Sequence, residues 1–248
     1  MKDHIVLGID IGGTGMKGGL VNVRSGELIT ERHRIPTPQP ASPKAMSATL
    51  KEIVEQFEWK GPIGCGFPAV VQLGVVRTAS NIDTRWIGVN AEDLFSKAVG
   101  QPVQMLNDAD AAGLASARFG AGKDVAGVSL FITVGTGIGS ALFTDGKLVA
   151  NTELGQVYLK NHKKVAEKYC ANSIRKNEDL SWEEWAKRFN EYLNQVYAWF
   201  YPNKIIIGGG QSKKWDLYSE WIDVPCETVP AQLLNNAGII GAAMAAAK

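Results

Sequence analysis

The sequence predicts an internally duplicated α/β chain of two lobes, and three observations carry that prediction. The apolar run Ile5-Val6-Leu7-Gly8-Ile9 leads directly into the glycine-dense stretch Asp10-Ile11-Gly12-Gly13-Thr14-Gly15-Met16-Lys17-Gly18-Gly19. A looser echo, Thr133-Val134-Gly135-Thr136-Gly137-Ile138-Gly139-Ser140, follows a second apolar run. Strand, Gly-rich turn, strand, tight turn, strand then describes both residues 5–35 and residues 127–149, each followed by helix and further strand. The lobes are expected over residues 1–106 and 107–234, with residues 235–248 packing back on the first as a helix.

The elements follow from local chemistry. Leu20-Val21-Asn22-Val23 continues as a strand, Arg24-Ser25-Gly26-Glu27 turns, and residues 28–35 return as a third strand. Pro36, Pro38 and Pro40 make an extended connection, after which Ser42-Pro43 reads as an N-cap with proline at the first helical position. Met46, Leu50, Ile53, Val54 and Phe57 recur behind it at helical spacing. Residues 61–76 read as strand, loop, strand, residues 78–88 as a loop, and Asn90 as the cap of a short helix ending near Gly100. Val103-Gln104-Met105-Leu106 is a strand, and Asn107-Asp108-Ala109-Asp110 opens an Ala-rich helix to Phe119. In the second half, Asp145-Gly146 is a hairpin signal and Ser181-Trp182-Glu183-Glu184 a capping box. Trp185, Phe189, Tyr192, Leu193, Val196 and Phe200 form one apolar face, Pro202 stops that helix, and Ile205-Ile206-Ile207 is a buried-type strand ending in Gly208-Gly209-Gly210.

Composition excludes several classes. The net charge of +1 supplies no overall field for nucleic acid or an acidic membrane. Cys65, Cys170 and Cys226 are scattered and odd in number, so they form neither a disulfide framework nor a zinc knuckle, which suits a reducing cytoplasm. The first apolar run is too short for a signal peptide, and no run approaches the ~20 apolar residues of a membrane span. His4, His33 and His162 sit in no nucleophile or metal constellation.

Glycines without a Cβ let backbone N–H groups approach an anion, so both glycine turns point to phosphate. Gly13-x-Gly15-x-x-Gly18 mimics the dinucleotide fingerprint, but a strand rather than a helix follows it, and no Gly-Lys-Ser/Thr makes a P-loop. A strand-turn-strand phosphate grip is left, in which Asp10 could hold magnesium through water and Lys17 could neutralise phosphate charge. Asn107-Asp108 stands where α/β ligand sites form, and Asp108 suits either a helix N-cap or a base accepting a hydroxyl proton. Glu153-Leu154-Gly155-Gln156 pairs a carboxylate with an amide, fit for a polyol or for a surface turn. Lys123, Lys160, Lys163, Lys164, Lys213 and Lys214 could line a polyanion path, or simply face solvent.

Asp10-Ile-Gly-Gly-Thr-x-x-Lys17, Gly66-Phe67-Pro68, Asn107-Asp108-Ala-Asp-Ala-Ala-Gly113, Gly135-Thr-Gly-Ile-Gly139, Glu153-Leu-Gly155 and Ile207-Gly-Gly-Gly210 occur in that order. This set resembles the ROK family (repressors, open reading frames, sugar kinases). Phrases such as Thr37-Pro-Gln-Pro-Ala41 and Trp86-Ile-Gly-x-Asn90 are similar to its polyphosphate-using glucokinase subgroup. The resemblance implies the actin-like ATPase (ribonuclease H-like) fold, with two lobes and a duplicated β-β-β-α-β unit. It further implies magnesium-dependent phosphoryl transfer from polyphosphate or ATP to the 6-hydroxyl of glucose, and a homodimer.

By that resemblance Asp108 is the catalytic base, and Asn107, Glu153, Gln156 and Gly66 belong to the sugar side. Asp10, Gly12, Gly13, Thr14, Gly15 and Lys17, with Thr133, Gly135, Thr136 and Gly137, are donor-phosphate residues, and Gly208, Gly209 and Gly210 lie on the adenosine side. Gln156 stands where the family carries histidine, and Ala69 where it carries glycine, which keeps another hexose such as mannose, or a non-catalytic sugar-binding protein, in view. The cysteine-rich zinc loop of many relatives is reduced to Cys170, so no zinc is expected. The DNA-binding helices of ROK repressors have no counterpart in Met1 to His4.

Overall fold

The computed structural model describes residues 4–80 and 82–247, which leaves Asn81 of the 78–88 loop and the residues before His4 outside it. The chain divides into two compact units, Met1–Ala115 with Asn236–Lys248, and Ser116–Asn235.

In the first unit, β1 (Ile5–Ile11), β2 (Met16–Asn22), β3 (Glu27–Leu28) and β4 (His33–Ile35) precede α1 (Pro43–Gln56). Then come β5 (Ile63–Phe67), β6 (Val71–Gln72), β7 (Val75–Val76), α2 (Ala91–Val99), β8 (Val103–Asn107) and α3 (Asp108–Phe119). The main sheet runs β3-β2-β1-β5-β8, with β4 also paired to β2. β1 is antiparallel to β2 and parallel to β5, and β5 is parallel to β8. Ser42 Oγ accepts from Ala45 N at 3.3 Å and Pro43 follows, so α1 starts as its sequence reads.

The second unit repeats the plan. It holds β9 (Val128–Val134), β10 (Ile138–Thr144), β11 (Lys147–Val149), α4 (Glu167–Cys170), α5 (Asn172–Asn177), α6 (Trp182–Phe200), β12 (Lys204–Gly209) and β13 (Glu227–Pro230). Its sheet runs β11-β10-β9-β12-β13, with the first two pairings antiparallel and the last two parallel. Ser181 and Glu184 close the capping box of α6, whose Trp185, Phe189, Tyr192, Leu193 and Val196 are buried.

The final helix, α7 (Ala237–Ala246), packs on β1 and β5 of the first unit. Contact is backbone to backbone. A Cβ on Gly8 would lie 2.0 Å from the Ile239 carbonyl oxygen, and one on Gly64 1.7 Å from that of Ala242. The small-residue tail is therefore matched by glycines in the strands beneath it.

Three local expectations change. The second strand starts earlier than Leu20: β2 begins at Met16, because Gly18 and Gly19 pair with Ile9 and Gly8. The third strand breaks into β3 and β4, where the Thr30 hydroxyl takes the Leu20 N–H that a continuous ladder would use. The 78–88 loop contains a 3₁₀ turn, Thr84–Trp86, because Trp86 buries fully and packs edge-on against Phe67 and Phe95 at 4.9 and 5.5 Å. Among the described residues no helix is long and apolar enough to cross a membrane.

Candidate active site

Asp10, Gly66 and Asn107 stand at the C-terminal ends of three adjacent parallel strands, the edge where open α/β sheets bind ligands. Asp10 faces Lys17 across the β1–β2 hairpin, and Lys17 Nζ lies 3.0 Å from Asp10 Oδ2, both side chains about three-quarters buried or more. Between them the turn is closed by Gly12 N donating to Gly15 O at 3.1 Å. Thr37 Oγ1 donates to Gly12 O, and Arg34 Nη2 to Thr14 O at 2.9 Å, while Gly13 and Thr14 face solvent. That exposure is what a phosphate grip needs.

Asn107 and Asp108 divide the labour that the sequence left open. Asn107 Oδ1 accepts from Ala109 N at 2.8 Å and Asp110 N at 3.2 Å, so Asn107 is the cap of α3. Its Nδ2 donates to Ala69 O at 3.2 Å, leaving one amide hydrogen for another acceptor. Asp108 is the first residue of α3, half-buried, with Oδ1 accepting from Ala109 N at 2.8 Å. Negative charge is favoured there by the helix N-terminus. Gly66 brings β5 close: a Cβ on it would lie 3.6 Å from Asp108 Cα and 3.3 Å from Ala111 Cβ.

In the second unit, Thr133 pairs in register with both Gly139 and Gly208, which sets the Gly208-Gly209-Gly210 strand end beside the second glycine turn. Gly209 has φ +72, a conformation that suits glycine, and Gly210 opens to space. The turn is tied down at each residue. Gly135 N donates to Gly137 O at 2.9 Å, Ser173 Oγ to Thr136 O at 2.6 Å, and Ile138 N to Glu167 Oε2 at 3.1 Å.

Glu167 is the residue that sequence reading missed. Its carboxylate fills the space a Cβ on Gly137 would need, 2.1 Å away. Burial, and then the negative charge of Glu167, push the Glu153 carboxyl above its ordinary range. Two carboxylates thus share one region beside the second turn. Nothing local in Val165-Ala166-Glu167-Lys168 signals this, because the 29-position separation of Ile138 and Glu167 is closed only by the tertiary fold. Glu153 leads into the 3₁₀ turn Leu154–Gln156, Gly155 packs on the Ile138 carbonyl, and Gln156 is exposed.

The metal expected at Asp10 can be weighed against these donors. Mg²⁺ is usually held by one or two carboxylates together with substrate phosphates and waters, and a single carboxylate at the end of a phosphate turn fits that habit. Among the described residues no cluster of three His, Cys, Asp or Glu forms a cage.

Residues 6–172 match the ROK family. The chain is 46% identical over 239 residues to a polyphosphate glucokinase of Mycobacterium tuberculosis, covering 96% of this chain and 89% of that one. It is 43% identical to the inorganic polyphosphate/ATP-glucomannokinase of Arthrobacter sp. strain KM, whose crystal structure it matches with a TM-score of 0.91 over 97% of each chain. A ROK family glucokinase from Streptomyces griseus, at 23% identity, shares the fold with a TM-score of 0.83, covering 98% of this chain and 99% of that one. The duplicated strand plan is that of the actin-like ATPases, and the chain belongs to the ROK family.

Proposed function

We propose that this chain is a glucokinase that transfers a phosphoryl group from inorganic polyphosphate or ATP to the 6-hydroxyl of glucose, giving glucose 6-phosphate. The observation that carries the reading is near-full-length likeness, at 46% identity, to a polyphosphate glucokinase. The arrangement at α3 supports it. Asn107 caps α3 through Ala109 N and Asp110 N, and Asp108, the first residue of that helix, serves on this reading as the base that accepts the hydroxyl proton. Such a base contributes roughly 10²–10⁴ in rate. Glu153, Gln156 and the second hydrogen of Asn107 Nδ2 hold sugar hydroxyls, with Gly66 keeping the strand close.

The two glycine turns supply backbone N–H groups to the donor, with Lys17 adding charge and Gly208, Gly209 and Gly210 on the adenosine side. Magnesium, held by Asp10 and the donor phosphates, would neutralise phosphate charge. The rest is largely positioning, as expected for phosphoryl transfer. The protein acts as a homodimer on this reading.

Mannose is the second acceptor to consider, because the Arthrobacter relative is a glucomannokinase at 43% identity. A donor-by-sugar matrix, with polyphosphate and ATP against glucose, mannose and other hexoses, tests both. Sugar 6-phosphate from glucose with either donor supports the assignment. Sugar binding without turnover would replace it with a non-catalytic binder.

A further inference from the structure

The face of the first sheet that carries Asp10 holds a second cation that none of the assigned roles uses. Asp10 on β1 pairs in register with Lys17 on β2, and Lys17 pairs in register with Arg34 on β4. Directly opposed residues of antiparallel strands share a face, so one acid and two bases form a row across three strands. Asp10 neutralises Lys17 at 3.0 Å. Among the described residues no carboxylate pairs with Arg34, whose polar contact is Nη2 to Thr14 O at 2.9 Å. Like charges set directly opposite each other are destabilising. The row therefore carries one uncompensated positive charge, and an anion would relieve it.

The same guanidinium is laid against the glycine turn. A Cβ on Gly15 would lie 2.6 Å from Arg34 Nε and 2.8 Å from its Cζ, so the absence of that Cβ is what lets the planar group sit there. One of its five N–H donors goes to Thr14 O, and the others are held by an exposed side chain beside the exposed Gly13 and Thr14. A planar fork of N–H donors matches a phosphate bidentately, which a lysine ammonium does not.

We propose that Arg34 is a phosphate ligand of the first glycine turn, binding the condensed-phosphate chain of the phosphoryl donor. The proposal rests on the kinase reading for the identity of the donor, but the anion site itself does not. Wild type, Arg34→Lys and Arg34→Gln are compared in two ways: thermal stabilisation by tripolyphosphate, and KM for polyphosphate, ATP and glucose at several salt concentrations. In Arg34→Gln the donor KM rises about tenfold, as for loss of a charge-assisted hydrogen bond. The slope of log KM for polyphosphate against log salt becomes shallower by about 1. Arg34→Lys recovers part of both losses, the glucose KM stays put, and the ligand-free Tm does not fall. Unchanged donor KM and unchanged tripolyphosphate stabilisation in Arg34→Gln would overturn the proposal. So would weaker donor binding accompanied by a lower ligand-free Tm, which would make the residue a prop for the turn. If the wild type moved no phosphoryl group to glucose, the kinase reading would fail, and the tripolyphosphate shift would still decide the role of Arg34.

Discussion

Gly238, in the first turn of α7, leaves room for the Asp10 carboxylate: a Cβ there would stand 2.9 Å from Asp10 Cγ and 3.0 Å from Oδ1. Residues separated by 228 positions thus meet, and the C-terminal helix sets how the acid at the end of β1 is aimed. Gly238→Ala should push the carboxylate off its Lys17 partner. Misplacement of about 1 Å at a reacting centre costs on the order of 10² in rate. We expect kcat/KM for the donor to drop by about that factor while circular dichroism stays native; unchanged kinetics would show that the acid tolerates the shift.

On the kinase reading, Asp108→Asn removes the proposed base while its amide oxygen can still accept from Ala109 N and the two Asn107 cap bonds stay in place. The expected result is a kcat lower by roughly 10²–10⁴ with Tm nearly constant. Turnover at the wild-type rate would take the proton acceptor elsewhere.

Asn107→Ala removes the cap and leaves the proposed base in place. It removes two N-cap bonds and the tie to Ala69 O. Loss of an N-cap costs about 0.5–2 kcal/mol, so urea unfolding should show a destabilisation of that size. A variant as stable as wild type would mean that α3 can be capped without it.

Glu153 predicts a pH signature. Burial and then the Glu167 charge raise its folded-state value above that of the unfolded chain. The folded protein therefore holds this proton to higher pH than the unfolded chain does, and stability falls as pH rises from the unfolded value towards the folded one. Above that window the ionised pair is a standing cost. Glu153→Gln should raise Tm at neutral pH, and the gain should vanish at acidic pH below the unfolded value, while the glucose KM rises. An equal Tm gain at every pH would point to packing instead of charge.

Glu167→Gln separates the two carboxylates. It keeps a carbonyl oxygen to accept from Ile138 N, and it removes the negative charge felt by Glu153. The pH at which Glu153 titrates, followed by NMR of the labelled carboxyl, should move down. No movement would show that burial alone sets it.

Much of this was legible in the chain because its causes are local. Ser42-Pro43, Asn90 with Gly100, and Ser181 with Glu184 mark helix ends through bonds spanning three or four residues, and all three helices begin where those residues stand. The duplicated strand order followed from hydrophobic runs and tight turns, and the phosphate role proposed for the glycine turns follows from the lack of a Cβ. The sequence by itself thus determined the fold class and the repeat, and it named the residue types of the candidate site.

Tertiary structure decided the assignments that depend on distant partners. Whether Asp108 or Asn107 caps α3 turned on side-chain direction, and Ala69 O, 38 residues away, completes the Asn107 network. β13 was not legible, because Glu227–Pro230 becomes a strand through pairing with β12 and not through any alternation of its own. Glu167 came to lie against the second glycine turn, and Arg34 opposite Lys17, because register and chain closure brought charges together. Pattern reports which surfaces a segment must bury; only the folded chain sets which charges must then face one another.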